Sequence, residues 1–494
     1  MKVLFLQKDI HGRLAVMLLA AILEKEGHQC DVLVGDLERN MVKKALEINP
    51  DIIAFTITTG EHLWMNQIGK KLREQFDKFI ICGGSHPTFY PEVINEDYLD
   101  AICMGEGEGA IVEFVNSIAN GKDIIGIRNL IVKKNGELHK NEIRPLIEDL
   151  DSLPFANRTI YDKYNIYRDP YNALSGKGVM LTSRGCPFHC AFCLNIVHYK
   201  PYVELYGGKV FRRRSALNVI KELRTMKKHN PQLNFISFTD DIFTLPPKTW
   251  IFEFLELYKN EINIPYTIQT RVDLLDEEIV KKLKESNCIS VIIGVESGND
   301  FLRNTILKKG ITKKQILRAT SLIKTHHIKL QIFNMLGTPG ETLETALETY
   351  ELNRKIKPTF AWCAFLNPYP GTELYEYAIT HNYLDKTLDF KKFGYLYFFT
   401  GTPVKIKNKR EIYHLLKLFN FGVIFNLPPN VMKFLIKLPF TKLYDLIFGV
   451  SYFFGILRIR RAQLLHSLTY IIYSLKIAIL NFAKYILKSD RNLY

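Results

Sequence analysis

The spacing of short apolar runs narrows the fold of this 494-residue chain more than any other feature of it. Residues 1–120 alternate strand-like and helix-like segments: Val3–Leu6, Arg13–Glu26 ending at Gly27, Cys30–Val34, Met41–Ile48, Asp51–Thr58, Trp64–Phe76, Phe79–Gly83 and Ala101–Met104. Short β-rich runs separated by helical periods imply a parallel, doubly wound sheet. In such a sheet ligands bind outside the carboxyl ends of the strands. From Gly178 the alternation resumes, with strands expected at Val179–Thr182, Asn234–Phe238, Tyr266–Thr270, Ser290–Val295, Leu330–Met335 and Trp362–Leu366. Helical stretches such as Leu217–His229 and Thr312–His326 separate them, and six βα units make a partial TIM-like barrel. The expected organisation is α/β throughout its first four-fifths. It comprises a doubly wound domain (1–125), a connector (126–175) with a hairpin around Lys133-Lys-Asn-Gly136, a barrel (176–400) and a basic helical region (401–494).

Directly after the first barrel strand comes Thr182-Ser-Arg-Gly-Cys186-Pro-Phe-His-Cys190-Ala-Phe-Cys193. A C-x3-C-x2-C loop can wrap three corners of a cubane iron–sulfur cluster. Such clusters usually take four thiolates, so a missing fourth leaves one iron open to a substrate or cofactor. A structural zinc loop is the competing reading, with His189 and His198 available, but zinc sites want four closed ligands and usually paired C-x2-C units. The other cysteines (Cys30, Cys82, Cys103, Cys288, Cys363) are scattered, mostly in apolar runs, as expected of a reducing compartment and not of a disulfide framework. Met1–Asp9 is too short and too soon charged for a signal peptide and reads as a first buried strand. The expectation is a cytoplasmic protein working under anaerobic conditions, because an accessible cluster is easily oxidised.

The cysteine loop, with the aromatic Phe192 before its third cysteine, resembles that of the radical S-adenosylmethionine (SAM) superfamily. The resemblance covers residues 178–375. It implies that Cys186, Cys190 and Cys193 hold a [4Fe–4S] cluster whose open iron chelates the amino and carboxylate groups of SAM. By the same resemblance Phe192 packs beside the adenine, and Thr239, Asp240 and Asp241 meet the SAM amino group. Glu296 and Ser297 reach the ribose or the methionine carboxylate, and Arg271 pairs with a carboxylate through its planar fork. The turn from Gly337 to Glu341 backs the adenine. Read without the resemblance, these residues are caps and salt bridges.

In the first block, Ile81-Cys-Gly-Gly-Ser-His-Pro-Thr-Phe-Tyr-Pro91 and Met104-Gly-Glu-Gly-Glu108 resemble the cobalamin-binding domain that precedes the barrel in one large radical SAM subfamily. Gly83 and Gly84 would let the backbone approach the nucleotide tail, Thr56 would contact the benzimidazole, and Gly105 and Glu106 belong to the same binding turns. Taken alone, all are ordinary βα turns. Cobalamin domains that ligate cobalt from below use Asp-x-His-x-x-Gly. Here Asp9-Ile-His11-Gly12 keeps only the first half, so no His–cobalt bond is expected and His11 reads as a polar loop residue.

The net charge of +15 is concentrated at one end: residues 401–494 hold fifteen Lys or Arg and three acids (Glu411, Asp445, Asp490), a balance of +12. These bases alternate with apolar clusters, as in Leu415–Phe419, Phe434–Leu438 and Ile477–Leu487, and Arg458, Arg460 and Arg461 follow the aromatic run Tyr452-Phe-Phe454. The longest candidate span, Leu443–Leu457, contains Asp445 and falls short of the ~20 residues a bilayer needs. Basic amphipathic helices lie instead in the interface plane. Peripheral contact with the inner face of the membrane is therefore expected, a helical lid over the barrel being the alternative. Nucleic acid is not expected, since the bases sit among aliphatics.

Together these resemblances imply an enzyme that cleaves SAM to a 5′-deoxyadenosyl radical, takes its electron from a flavodoxin or ferredoxin, and uses cobalamin to methylate an unactivated carbon. The substrate expected is hydrophobic: a lipid, polyprenoid or tetrapyrrole. The alternatives are a cyclase or C–C coupling enzyme, similar to the anaerobic magnesium-protoporphyrin monomethyl ester cyclase, and a non-catalytic cobalamin-responsive module. A sensor would have no need of an open iron.

Overall fold

Val3, Leu4, Phe5 and Leu6 are all buried, so the first strand has core on both faces, as parallel sheets require. The computed structural model describes residues 1–165, 176–388 and 397–459. These fall into two compact units. The first holds residues 1–165 and Leu194–Arg214. Its seven strands are β1 (Lys2–Gln7), β2 (Gln29–Val34), β3 (Ile52–Thr56), β4 (Phe79–Gly83), β5 (Ala101–Cys103), β6 (Leu130–Lys134) and β7 (Glu137–Lys140), ordered β2-β1-β3-β4-β5-β6-β7. The first five run parallel and the last two antiparallel. The stretch expected to be a connector thus extends this sheet. Its hairpin turns at Asn135 and Gly136, both with positive φ, the residue pair that tight hairpin turns favour. Strand order reverses between β1 and β3, which marks the ligand crevice of an open α/β sheet.

The second unit contains β8 (Lys177–Met180), β9 (Phe235–Phe238), β10 (Tyr266–Thr270), β11 (Cys288–Glu296), β12 (Lys329–Leu336) and β13 (Phe360–Phe365). All pair parallel with their sequence neighbours, so the sheet winds in one direction like six units of a (β/α) barrel. Side-chain caps start the intervening helices: Ser215 caps Ala216–His229, Asp276 caps Glu277–Glu285, and Thr312 with Gln315 forms a capping box on Lys313–Thr325. Phe238, Phe243, Phe254, Tyr258 and Tyr266 fill the core between sheet and helices.

The tail corrects one expectation. Leu415, Leu416, Leu418 and Phe419, on the Lys409–Ile424 helix, are buried against Leu336, Tyr350 and Phe365 in the core of this unit and are not free to meet a membrane. Lys417 in that run is buried too, paired with Asp445 at 3.1 Å. Arg460, Arg461 and Ile477–Leu487 lie outside the described residues. No helix among the described residues is long and apolar enough to cross a membrane.

Candidate active site

The cysteine loop leaves β8 through Thr182 and Ser183, and one carboxylate oxygen fixes its departure. Asp240 Oδ1 accepts from Thr182 N at 2.9 Å, Thr182 Oγ1 at 2.7 Å and Ser183 Oγ at 2.5 Å. Further along, Ala191 N donates to Leu307 O (3.0 Å) and Ala191 O accepts from Leu374 N (2.9 Å). Phe192 anchors the same point against Leu302, Ile306, Leu307 and Leu366. None of Cys186, Cys190 and Cys193 is in a disulfide; Cys190 is buried and the others are half-buried.

Cations gather at Cys190. Arg271 lies over the Phe188 ring at 3.7 Å and points Nη1 at Cys190 Sγ (3.9 Å), while Asp273 holds its Nε and Nη2 at 3.0 Å each. Lys309 pairs with Glu296 at 2.8 Å. Burial raises the Cys190 thiol pKa, and Lys309 and Arg271 pull against it. Burial also opposes the Lys309 charge, but Glu296 and Cys190 outweigh it and its pKa is raised. A structural zinc site wants four closed ligands around one ion. A cubane instead takes each thiolate on a different iron, so three soft donors on a pinned loop beside fixed cations suit a [4Fe–4S] cluster.

The structure brings most of the expected SAM residues to the carboxyl ends of this sheet, where several also make contacts within the protein. Asp240 ties the cysteine loop, and Thr239 bonds Met180 O, whereas Asp241 is exposed and adds negative charge near Cys186. Arg271 pairs with Asp273. Ser297 is fully buried, its hydroxyl accepting from Asn299 N and its carbonyl from Arg303. Glu296 has φ of 67° at a register shift in β11. A Cβ on Gly294 would meet its Oε1 at 2.1 Å, so the Glu296–Lys309 pair requires glycine there. Gly337 (φ +84°) donates its N–H to Glu341.

Sequence reasoning missed Lys309 and Asp273, which no readable spacing marks, and took Thr338 only as part of the Gly337-to-Glu341 turn. Thr338 Oγ1, Glu341 Oε1 and Asn367 Oδ1 are buried without a hydrogen-bond partner, although buried polar atoms nearly always have one. They follow β12 and β13, and a polar ligand such as SAM would satisfy them. Burial pushes the Glu341 carboxyl up to about 8 against the Gly337 and Thr338 N–H groups, so at neutral pH it carries a proton it can donate.

In the first unit the expected cobalamin residues divide. A Cβ on Gly83 would meet only Cys103, at 3.9 Å, so the chain itself leaves space there for an outside group. Gly84 (φ +104°) is different: its Cβ would strike Ile57 O at 2.6 Å, so the loop's own backbone demands glycine. Gly105 is likewise needed by the chain, its Cβ falling 1.7 Å from the Tyr202 hydroxyl. Glu106 is held by Arg212 at 2.9 and 3.0 Å and by Ile147 N at 3.1 Å, which makes it a structural ion pair. Thr56 O accepts from Arg13, whose guanidinium also pairs with Glu61 (2.5 Å) and Asp9 (3.3 Å) across the β1/β3 switch point. The His11 side chain is largely exposed in this loop. His62 and His86 stack at 4.5 Å beyond the ends of β3 and β4, and burial, then His62, lowers His86 to about 3. The crevice, its glycines and its aromatic rings suit a large, flat cofactor with a nucleotide tail.

Two family matches fall on these two sites: the radical SAM superfamily over residues 180–352 and the B12 binding domain over residues 7–115. An uncharacterized methyltransferase of Pyrococcus horikoshii is 32% identical over 384 residues, covering 76% of this chain and 80% of that protein. The chain belongs to the cobalamin-binding radical SAM family. Its cofactors are a [4Fe–4S] cluster, SAM and cobalamin. The anaerobic magnesium-protoporphyrin IX monomethyl ester cyclase of Rubrivivax gelatinosus is 28% identical over 476 residues, covering 90% of this chain and 80% of that protein. Among solved structures, the radical SAM methyltransferase TsrM of Kitasatospora setae matches with a TM-score of 0.63, at 19% identity over 78% of this chain and 79% of that one, a likeness of fold.

Proposed function

We propose that this radical SAM protein methylates an unactivated carbon of a hydrophobic small molecule, a lipid, polyprenoid or tetrapyrrole. The observation that carries methyl transfer is the 32% identity, over 76% of this chain, to an uncharacterized methyltransferase. When bound, the cluster supplies an electron to cleave SAM, and cobalamin supplies a methyl carrier. The chain's own residues do the rest. Asp240, Leu307 and Leu374 hold the cysteine loop in place, Arg271 and Lys309 set positive charge beside Cys190, and Glu341, Thr338 and Asn367 offer polar contacts to SAM. The electron comes from a flavodoxin or ferredoxin. The basic, apolar C-terminal region supports a substrate met at a membrane surface.

A cyclase or coupling enzyme is the second reading, favoured by the cyclase relative, whose similarity covers 90% of this chain. One experiment separates the two. Reconstituted protein is incubated anaerobically with deuterated-methyl SAM, a reductant and membrane lipid extract, then analysed by mass spectrometry. Methylation predicts a deuterated methyl group in a hydrophobic product. Formation of 5′-deoxyadenosine with no label in any product would favour the cyclase.

A further inference from the structure

The Thr441–Ile459 helix presents an apolar stripe on the side away from its core contacts. Leu443, Leu446, Val450 and Phe454 are 50%, 51%, 44% and 54% exposed. At about 100° per residue these four fall within roughly 80° of arc. On a helix that packs one face against a core, the opposite face is ordinarily polar. Tyr444, Ser451 and Ile459, on the inward side, are buried. Phe434 (64% exposed) and Phe440 (50%) add to the apolar surface just before this helix. The charges around the stripe are of one sign. Lys433, Lys437, Lys442 and Arg458 are all exposed, and Lys442 and Arg458 fall on opposite shoulders of it near its two ends. The sole acid between residues 425 and 459 is Asp445, turned inward onto Lys417 and Tyr413.

We infer that this face seats in the interface of an anionic lipid bilayer, with Leu443, Leu446, Val450, Phe454, Phe434 and Phe440 among the acyl chains and the four bases at headgroup level. The charge pattern selects this occupant. Two copies of the chain apposed through the face would bring like charges together, whereas phosphate headgroups complement them. Insertion is shallow, because no described helix can span. The inference deepens the reading of a substrate met at a membrane, and its test needs no catalysis.

Full-length protein is co-sedimented with vesicles containing phosphatidylglycerol and with vesicles of phosphatidylcholine alone. The native chain should favour the anionic vesicles and lose binding as salt rises. Leu446→Asp/Phe454→Asp should weaken partitioning at least about tenfold, with circular dichroism and iron content as in the native chain. Lys433→Gln/Lys437→Gln/Lys442→Gln should erase the preference for anionic over neutral vesicles. Unchanged binding by the Asp variant would overturn the inference. So would a native protein that ignores both vesicle types, or one whose self-association, and not vesicle binding, is lost on Asp substitution. Failure of methyl transfer with vesicle binding intact would count against the substrate reading alone.

Discussion

The carboxyl ends of the parallel strands in the two sheets obey one rule of placement and differ in what they leave unfinished. In the first sheet the loops are closed on themselves: Arg13 joins Asp9, Glu61 and Thr56, and Arg212 grips Glu106. Asp9, Glu61 and Glu106 are paired with guanidiniums inside the protein, and glycines and aromatic rings stand beside them. In the second sheet three cysteines stand outside any disulfide, and Thr338, Glu341 and Asn367 hold buried polar atoms without hydrogen-bond partners. A cofactor that arrives complete needs a shaped slot, whereas a cluster and a zwitterionic cosubstrate need ligands and charge.

If that contrast is right, substitutions should separate the two sites. The largest effect is expected from Cys190→Ala, which removes one of only three thiolates. Reductive SAM cleavage, followed as 5′-deoxyadenosine by chromatography, should fall at least about a thousandfold while cobalamin binding persists. Loss of both together would mean that the sites are not separable. Gly84→Val should do the reverse. It forces a branched side chain onto Ile57 O at a positive φ, costing on the order of 4 kcal/mol. Cobalamin uptake, read from the absorbance of the bound corrin, should drop while the iron content holds.

Glu341→Gln sharpens the contrast through pH. The native carboxyl has its pKa raised from 4.5 to about 8, so between those values the unfolded chain releases a proton that the folded chain keeps. Native stability from this group therefore declines as pH rises through that window. The Gln variant stays neutral and should gain on the native protein, by on the order of 3 kcal/mol at the top of the window. Denaturant melts without SAM should converge below pH 4.5. Parallel curves at all pH values would show that Glu341 ionises freely. The smallest effect belongs to His11→Ala, less than about 0.5 kcal/mol, with the cob(II)alamin resonance unchanged. Nitrogen splitting that vanishes in this variant would identify His11 as a cobalt ligand.

Much of this was legible in the chain. The strand alternation located eight elements of the first block to within a few residues, because buried parallel strands announce themselves as continuous apolar runs such as Val3–Leu6. The cysteine loop was legible because its donors are local. What escaped depends on distance in sequence. Lys309 reaches Cys190 from a loop more than a hundred residues on, and Tyr202 decides why Gly105 must be glycine. The Arg212 partner of Glu106 was equally hidden, because a conspicuous acid in a glycine turn gives no hint of a guanidinium a hundred residues on. The run Leu415–Phe419 looked membrane-directed because an apolar helix reads alike whether lipid or Tyr350 covers it.

The central claim is that Cys186, Cys190 and Cys193 hold one [4Fe–4S] cluster with an iron left open for SAM. The most direct measurement is Mössbauer and electron paramagnetic resonance spectroscopy of the anaerobically reconstituted full-length protein, with and without SAM. The account predicts about four irons per chain in a single cubane whose reduced signal shifts when SAM is added. Stoichiometric zinc without iron under strict anaerobic handling, or a cluster indifferent to SAM, would contradict it.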